Sequence, residues 1–347
     1  GGHLKNAFAL AWDARVVISP HIGDMGTVRS EQVFAQVVED MQRLYGVQAA
    51  EVACDAHPRY ATTRWADSCG LPVTRVLHHH AHASALAGEH EPEVPMLVFT
   101  WDGVGFGADR TLWGGETFLG KPGEWRRVAS LRPFRLPGGD SAGRSPWRSA
   151  AALCWELGQE LPGMEVDPLV RNAWQRNLNC LQTSAVGRLF DAAAALVLNV
   201  RHTSFEGQGP MMLEALAAEA DHAVLDAAPL PTHADAAGIL RFDWEPLVAL
   251  LQDTRVGAAV RAAMFHSIVA ATLVVIADEQ RALSGVDLVG LTGGVFQNAR
   301  LTELAHALLT RKGFRVRLAE RLPCNDGGLA YGQVIEFARR QRLEPHT

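Results

Sequence analysis

Four histidines stand within five consecutive residues, His78-His79-His80-Ala81-His82, where an apolar strand-like run (71–77) passes into a helix-forming run (81–89). His78 and His82 are four residues apart, which on one helical turn puts both imidazoles on the same face. Two convergent neutral imidazoles are first-choice ligands for a borderline metal such as zinc or iron. A lone pair at this spacing is more often structural. Four histidines at a strand-to-helix corner, with acidic residues elsewhere to complete a shell, favour metal. The spacing also invites a metalloprotease reading, but that motif needs glutamate directly after the first histidine as general base. His79 holds that position, so the reading fails on mechanism.

At 347 residues the chain is too long for one simple core and is expected to form two domains or lobes. A net charge of −6 argues against broad contact with nucleic acid, while leaving room for a local basic patch. The longest apolar stretches read as too short or too often interrupted to span a bilayer, and no leader is visible. The five cysteines (Cys54, Cys69, Cys154, Cys180, Cys324) are scattered without a Cys-x-x-Cys pair. That suggests neither a disulfide framework nor a zinc knuckle, and it fits a reducing cytoplasm. The abrupt start at Gly1-Gly2 reads as a fragment lacking its upstream part.

Residues 2–19 read as a hairpin turning at Trp12-Asp13-Ala14. Val33, Phe34, Val37, Val38, Met41 and Leu44 recur at helical spacing over 30–44, with Ser30 as N-cap. A short buried strand (51–55), a helix (62–70), the strand before the histidines and an apolar run (96–101) ending at Asp102 complete an α/β pattern. Residues 133–186, rich in Gly, Pro, Arg and Trp and then helical, read as a mainly helical insertion. Helices follow at 189–198, 211–220 and 256–283, the last apolar on most sides and so buried. A strand (288–292) leads into Gly293-Gly294, and a last strand (316–318) precedes a terminal helix (328–340). The expected division is an α/β lobe of residues 1–97 plus 328–347 and a second α/β lobe, 98–327, carrying the insertion.

Three glycine turns follow apolar strands: Thr100 to Gly107 with its return to Leu112-Trp-Gly-Gly-Glu116, Thr292 to Asn298, and Asn325 to Gly328. Each could place backbone N–H groups against a phosphate, and the last two open helices. Singly, each is more simply a turn. None matches a Walker or dinucleotide fingerprint. Together, at the C-terminal ends of strands, they favour a nucleotide cleft between lobes. Asp102 and Asp326 are the acidic candidates to join His78 and His82 in a divalent metal shell, the plain alternative being that each caps its own turn or helix.

In this order the motifs resemble the actin-like ATPase superfamily, and within it the C-terminal Kae1-like domain family of HypF hydrogenase-maturation carbamoyltransferases. The matching segments are Gly2-His-Leu-Lys-Asn6, Ser19-Pro-His-Ile-Gly-Asp24, the histidine cluster, Asp102-Gly-Val-Gly-Phe-Gly107 and Leu112-Trp-Gly-Gly-Glu116. They continue with Ser145-Pro-Trp-Arg148, Thr183 to Asp191, Phe205-Glu-Gly-Gln208, Gly293 to Asn298 and Asn325-Asp-Gly-Gly328, so the resemblance spans almost the whole chain. It implies a two-lobed actin-like fold with nucleotide and metal in the interlobe cleft. It implies metal ligation by His78, His82 and Asp326 with Asp102 as a fourth or water-mediated ligand, and a catalytic part for His78, His82 and Asp326. By the same resemblance, Lys5 and Asn6 face the phosphates and Gly103 and Gly105 form the second phosphate turn. Gly187, Asp191, Glu206, Gly293, Gly294 and Asn298 resemble ribose and adenine contacts.

The implied reaction runs from carbamoyl phosphate and ATP through carbamoyl-adenylate to the C-terminal cysteine of the partner HypE, for the cyanide ligands of nickel–iron hydrogenase. Iron or zinc is the implied metal, and magnesium is allowed beside ATP. The acylphosphatase-like and YrdC-like modules of that family are not in this sequence, so the chain is expected to use supplied carbamoyl-adenylate without making it. Because the acceptor brings the thiol, Cys54, Cys154 and Cys324 are expected to be structural. The competing readings are a tRNA threonylcarbamoyl transferase, an O-carbamoyltransferase of small hydroxylated metabolites, a non-catalytic nucleotide-binding scaffold and a sugar kinase. The kinase would want a carboxylate base toward a hydroxyl and not a histidine corner.

Overall fold

The computed structural model describes residues 1–220 and 227–343. The N-terminal hairpin forms as expected, from β1 (Ala9–Trp12) and β2 (Arg15–Ile18), with Asp13 at φ 50 in the turn. Helix α1 (Val28–Tyr45) starts two residues before the expected cap. Thr27, not Ser30, is the N-cap, because its hydroxyl stands three residues ahead of the free Ser30 N–H and accepts from it at 3.1 Å. The buried stripe of α1 is also narrower than its periodicity suggests: Phe34 and Met41 are buried, while Val33 and Leu44 face outward.

Strands β3 (Val52–Asp55) and β4 (Val73–Val76) pair in parallel around helix α2 (Ala61–Ser68). Helix α3 (His78–Glu89) begins at the first histidine, three residues earlier than expected, so the whole cluster lies on its opening turns. Leu77 is its N-cap and makes no side-chain bond.

The second half is built on strands β5 (Met96–Phe106), β6 (Leu112–Gly120), β7 (Arg126–Leu131), β8 (Phe134–Pro137), β9 (Cys180–Thr183), β10 (Thr232–Ala234), β11 (Leu240–Phe242), β12 (Leu288–Thr292) and β13 (Arg315–Leu318). They form one sheet in the order β10-β11-β7-β6-β5-β12-β13, with β9 joined to β6 and β8 to β9. Its helices are α4 (Pro146–Glu156), α5 (Pro168–Gln175), α6 (Val186–Leu198), α7 (Gln208–Ala217), α8 (Glu245–Gln252), α9 (Ala258–Ser284), α10 (Ala299–Arg311) and α11 (Leu329–Leu343). The segment 133–186 therefore holds two short strands as well as helices, and β8 and β9 tie it to the sheet.

Strand β5 is central, antiparallel to β6 and parallel to β12. Its alternation explains its burial on both faces. Leu97, Phe99 and Trp101 join the core made with α4, α6 and α9, whereas Met96 and Val98 pack with Leu86 of α3 and Phe118 of β6. Helix α9 corrects the expectation about apolar stretches. By length and composition it could cross a membrane, yet two thirds of its most apolar window (67%) is buried inside the protein. Helix α11 returns to pack on α3 and on β3 and β4. Gly332 makes that crossing possible, since a Cβ there would stand 1.8 Å from the Ala81 carbonyl oxygen.

Candidate metal and nucleotide site

Three separate segments meet at the start of α3. His78 and His82 lie on its first turns, Asp102 follows the apolar run of β5, and Asp326 opens the short turn of helix before α11. One donor atom from each of the four side chains falls within 4.8 Å of the others. His78 Nε2 is 3.2 Å from Asp102 Oδ2 and 3.5 Å from Asp326 Oδ1, and His82 Nε2 is 3.6 Å from each. The second oxygen of Asp102 accepts the Gly294 N–H at 3.0 Å, which aims the first at the histidines.

Burial disfavours charge on His78, but Asp326, Asp102 and Asp55 outweigh it and hold the imidazole well above its ordinary value. Burial likewise opposes charge on His82, and the reach of Asp102 and Asp326 raises it. Burial works to raise both carboxylates, yet His78 and His82 take Asp102 well below the usual range and also lower Asp326. The buried His82 Nε2 makes no hydrogen bond. Two imidazoles, two carboxylates and an unpartnered ring nitrogen facing one point fit a divalent cation.

The other two histidines separate from this pair. His80 turns to the buried Glu336 of α11, 3.7 Å away, which also accepts from Ser84 (2.6 Å) and the Gly123 N–H (2.9 Å). His79 is fully buried with neither ring nitrogen hydrogen-bonded, and burial, reinforced by His78, pushes it well below its ordinary value. Cys324 is near the cluster but is pushed up to about 11 by burial and by Asp102, and Cys154 reaches about 11 by burial. Neither is a ready thiolate.

Beside the turn after Trp101, Lys5, ahead of β1, reaches Glu206, ahead of α7, at 2.7 Å, each side chain about two-fifths exposed (40% and 39%). They meet over Gly103, whose absent Cβ would stand 3.2 Å from Glu206 Oε1 and 3.4 Å from Arg188. Arg188 in turn pairs with Asp191 at 2.9 Å. Burial pushes Asp191 up to about 6 despite that guanidinium, and Glu206 adds to the rise. Gly187 lets α6 approach the turn after β5, because a Cβ there would lie 2.7 Å from the Gly103 Cα and 2.9 Å from the Asp102 carbonyl oxygen. Gly105 lies under the rings of His78 and His79, and Gly293 passes close beneath the Trp101 backbone.

Two expected contacts have their side chains engaged locally. The buried Asn6 amide donates to the Gly2 carbonyl at 2.6 Å. Asn298 caps α10 through the Leu301 N–H (2.8 Å) and donates to His266 Nε2 (3.1 Å). Reading the sequence missed Asp55, which lies 2.8 Å from His78 Nδ1, and Arg188. It also left Glu116 without a role of its own. This fully buried carboxylate accepts from the Gly114 and Gly115 N–H groups, Arg127, Ser130 and Ser184, and so fixes the glycine return of β6 against the start of α6. A cavity of about 360 Å³ lies elsewhere, between β1, β3, α1 and α11, and none of the candidate residues lines it.

Residues 1–89 match the profile of the HypF Kae1-like domain, and residues 98–333 match that of the second subdomain of the carbamoyltransferase Kae1-like domain. A carbamoyltransferase HypF homolog of Cupriavidus necator is 37% identical over 367 aligned residues, covering 100% of this chain and 93% of that protein. Carbamoyltransferase HypF of Synechocystis is 33% identical, covering 96% of this chain but 46% of its own length, so this chain spans about half of that relative. The crystal structure of full-length HypF in its phosphate- and nucleotide-bound form superposes with a TM-score of 0.90 at 29% identity, over 100% of this chain and 46% of that one. The α/β Kae1-like fold expected from the motifs is thereby borne out, and the chain belongs to the HypF Kae1-like carbamoyltransferase family.

Proposed function

We propose that this chain transfers a carbamoyl group from carbamoyl-adenylate to the C-terminal cysteine thiol of a HypE-type acceptor in the cytoplasm, in preparing the cyanide ligands of nickel–iron hydrogenase. The observation that carries the reading is the convergence of His78, His82, Asp102 and Asp326 donors within 4.8 Å. They meet beside the glycine turns that begin at Gly103 and Gly293. His78, His82, Asp102 and Asp326 would hold a zinc or iron ion, which would supply Lewis-acid stabilisation of charge developing on the carbonyl or departing phosphate.

The chain's own residues do the rest. Lys5 supplies positive charge at the cleft mouth, Gly103 and Gly105 keep the phosphate turn bare, and Arg188, Asp191 and Glu206 line the region for the nucleoside and its phosphate. The acceptor sulfur forms the C–S bond as the C–O bond to AMP breaks, and the thiol proton is released. Burial pushes Cys324 and Cys154 up to about 11, which disfavours these two thiols as nucleophile and favours the thiol of the acceptor. The match to a nucleotide-bound HypF supports a nucleotide in this cleft.

The test is incubation of the chain with carbamoyl-adenylate and a purified HypE-type acceptor, read by intact mass. One carbamoyl adduct on the acceptor, lost with His82→Ala, is expected. An unmodified acceptor beside a metal-loaded, folded chain overturns the reading.

A further inference from the structure

We infer that Asp55 is the positioning residue of the histidine corner, fixing through His78 which ring nitrogen is offered to the cation. The inference rests on the metal reading above. Asp55 ends β3, a strand separate from every segment that carries the four candidate ligands. Its Oδ2 lies 2.8 Å from His78 Nδ1, and both side chains are fully buried (0% exposed). Asp55 is itself held in place: Oδ1 accepts the His57 N–H at 2.7 Å, and its backbone carbonyl accepts from the Thr63 hydroxyl at 3.1 Å.

A carboxylate oxygen accepts from an N–H, so the 2.8 Å contact between Asp55 Oδ2 and His78 Nδ1 places the ring proton on Nδ1 when Nε2 serves as the ligand atom. That leaves the Nε2 lone pair facing Asp102 and Asp326, where the cation would be held. A carboxylate behind a metal-binding imidazole fixes its tautomer and ring angle and raises its basicity, and losing such a partner typically weakens metal affinity about 10–100-fold. The ion-pair contacts of His82 run through Nε2 to Asp102 and Asp326, without Asp55. Asp55 therefore acts on one ligand of the pair, and the anchor belongs to the first lobe, whereas Asp102 belongs to the β5 sheet of the second.

Zinc affinity is measured by chelator competition for the parent chain, Asp55→Ala, Asp55→Asn and His82→Ala. The thermal midpoint of each metal-free chain and the visible spectrum of each cobalt(II)-loaded chain are recorded alongside. Asp55→Ala is expected to weaken zinc about 10–100-fold. Asp55→Asn, which keeps an acceptor oxygen without the charge, falls between it and the parent. A fixed ligand tautomer further predicts a cobalt spectrum that shifts in Asp55→Ala and is restored toward the parent in Asp55→Asn, a change that loss of fold stability alone would not reverse. If Asp55→Ala does not fold, Asp55→Asn decides: parental zinc affinity in a folded Asp55→Asn overturns the inference. Zinc lost with His82→Ala but kept at parental affinity in both Asp55 variants overturns the role of Asp55 and leaves the metal reading standing. Zinc kept in all three overturns both.

Discussion

His78 and His266 are both fully buried, and their surroundings move them in opposite directions. Acidic neighbours raise His78, whereas His266 receives a hydrogen bond from Asn298 at Nε2, donates from Nδ1 to the Ala262 carbonyl (2.7 Å), and is pushed down to about 4 by burial. For His266 the unfolded chain binds the extra proton below its value of 6.5, so stability falls as pH drops from there to about 4 and changes no further from this cause. The loss is about 3 kcal/mol, and His266→Gln should flatten that part of a urea-denaturation series across pH. For the metal corner the imidazoles shift the other way, yet the dependence on pH again rises. A raised imidazole holds a proton that a cation must displace, so zinc affinity should climb as pH rises through the raised values and level off above them. Calorimetric titration in two buffers of different ionisation enthalpy checks the accompanying proton release. A pH-independent affinity would count against ligation by these imidazoles.

Element by element, the strongest periodicities agree with the structure and β12 has the expected bounds, while the starts of α1 and α3 move. The hairpin, β3, β4, α9 and β12 were visible because each signal lies within its own stretch of chain. The cap of α1 shifted from Ser30 to Thr27, since both residue types suit a cap and only the N–H directions decide between them. Strands β8 and β9 escaped notice because four-residue strands that pair outside their neighbourhood leave no local period. Close approach of elements is similarly nonlocal. Gly187→Ala would put a Cβ against the backbone of Asp102 and Gly103, which cannot yield as a flexible side chain could. The expected cost is about 1–3 kcal/mol in stability, with weaker AMP binding, measured by thermal unfolding and equilibrium dialysis.

At the scale of the whole molecule, the Lys5–Glu206 bridge joins residues 201 apart in sequence. Both side chains are partly exposed, so the bridge is worth at most about 1 kcal/mol to folding. Under the proposed function Lys5 faces phosphate instead. Lys5→Ala should therefore leave the thermal midpoint nearly unchanged while weakening AMP roughly tenfold, and added salt should narrow the difference. An unchanged AMP affinity would remove Lys5 from the phosphate site.

What the sequence determined by itself was everything carried at short range: alternating strands and helices, two imidazoles on one helical face, and bare glycine turns at strand ends. Asp102 and Asp326 were candidates there, with plain capping as their alternative. Only the tertiary structure brought them to the histidines, across 24 residues to Asp102 and, from the numbering, 248 to Asp326. It also decided which histidine does what. His80 was claimed by Glu336 of the last helix, His79 was sealed against Gly105, and His78 was backed by Asp55. The reason is physical: a repeat of a few residues fixes which face a side chain takes, but its partner is set by packing of β3, β5 and α11 around α3. That arrangement is held by burial of residues scattered along the whole chain, and no single segment carries it.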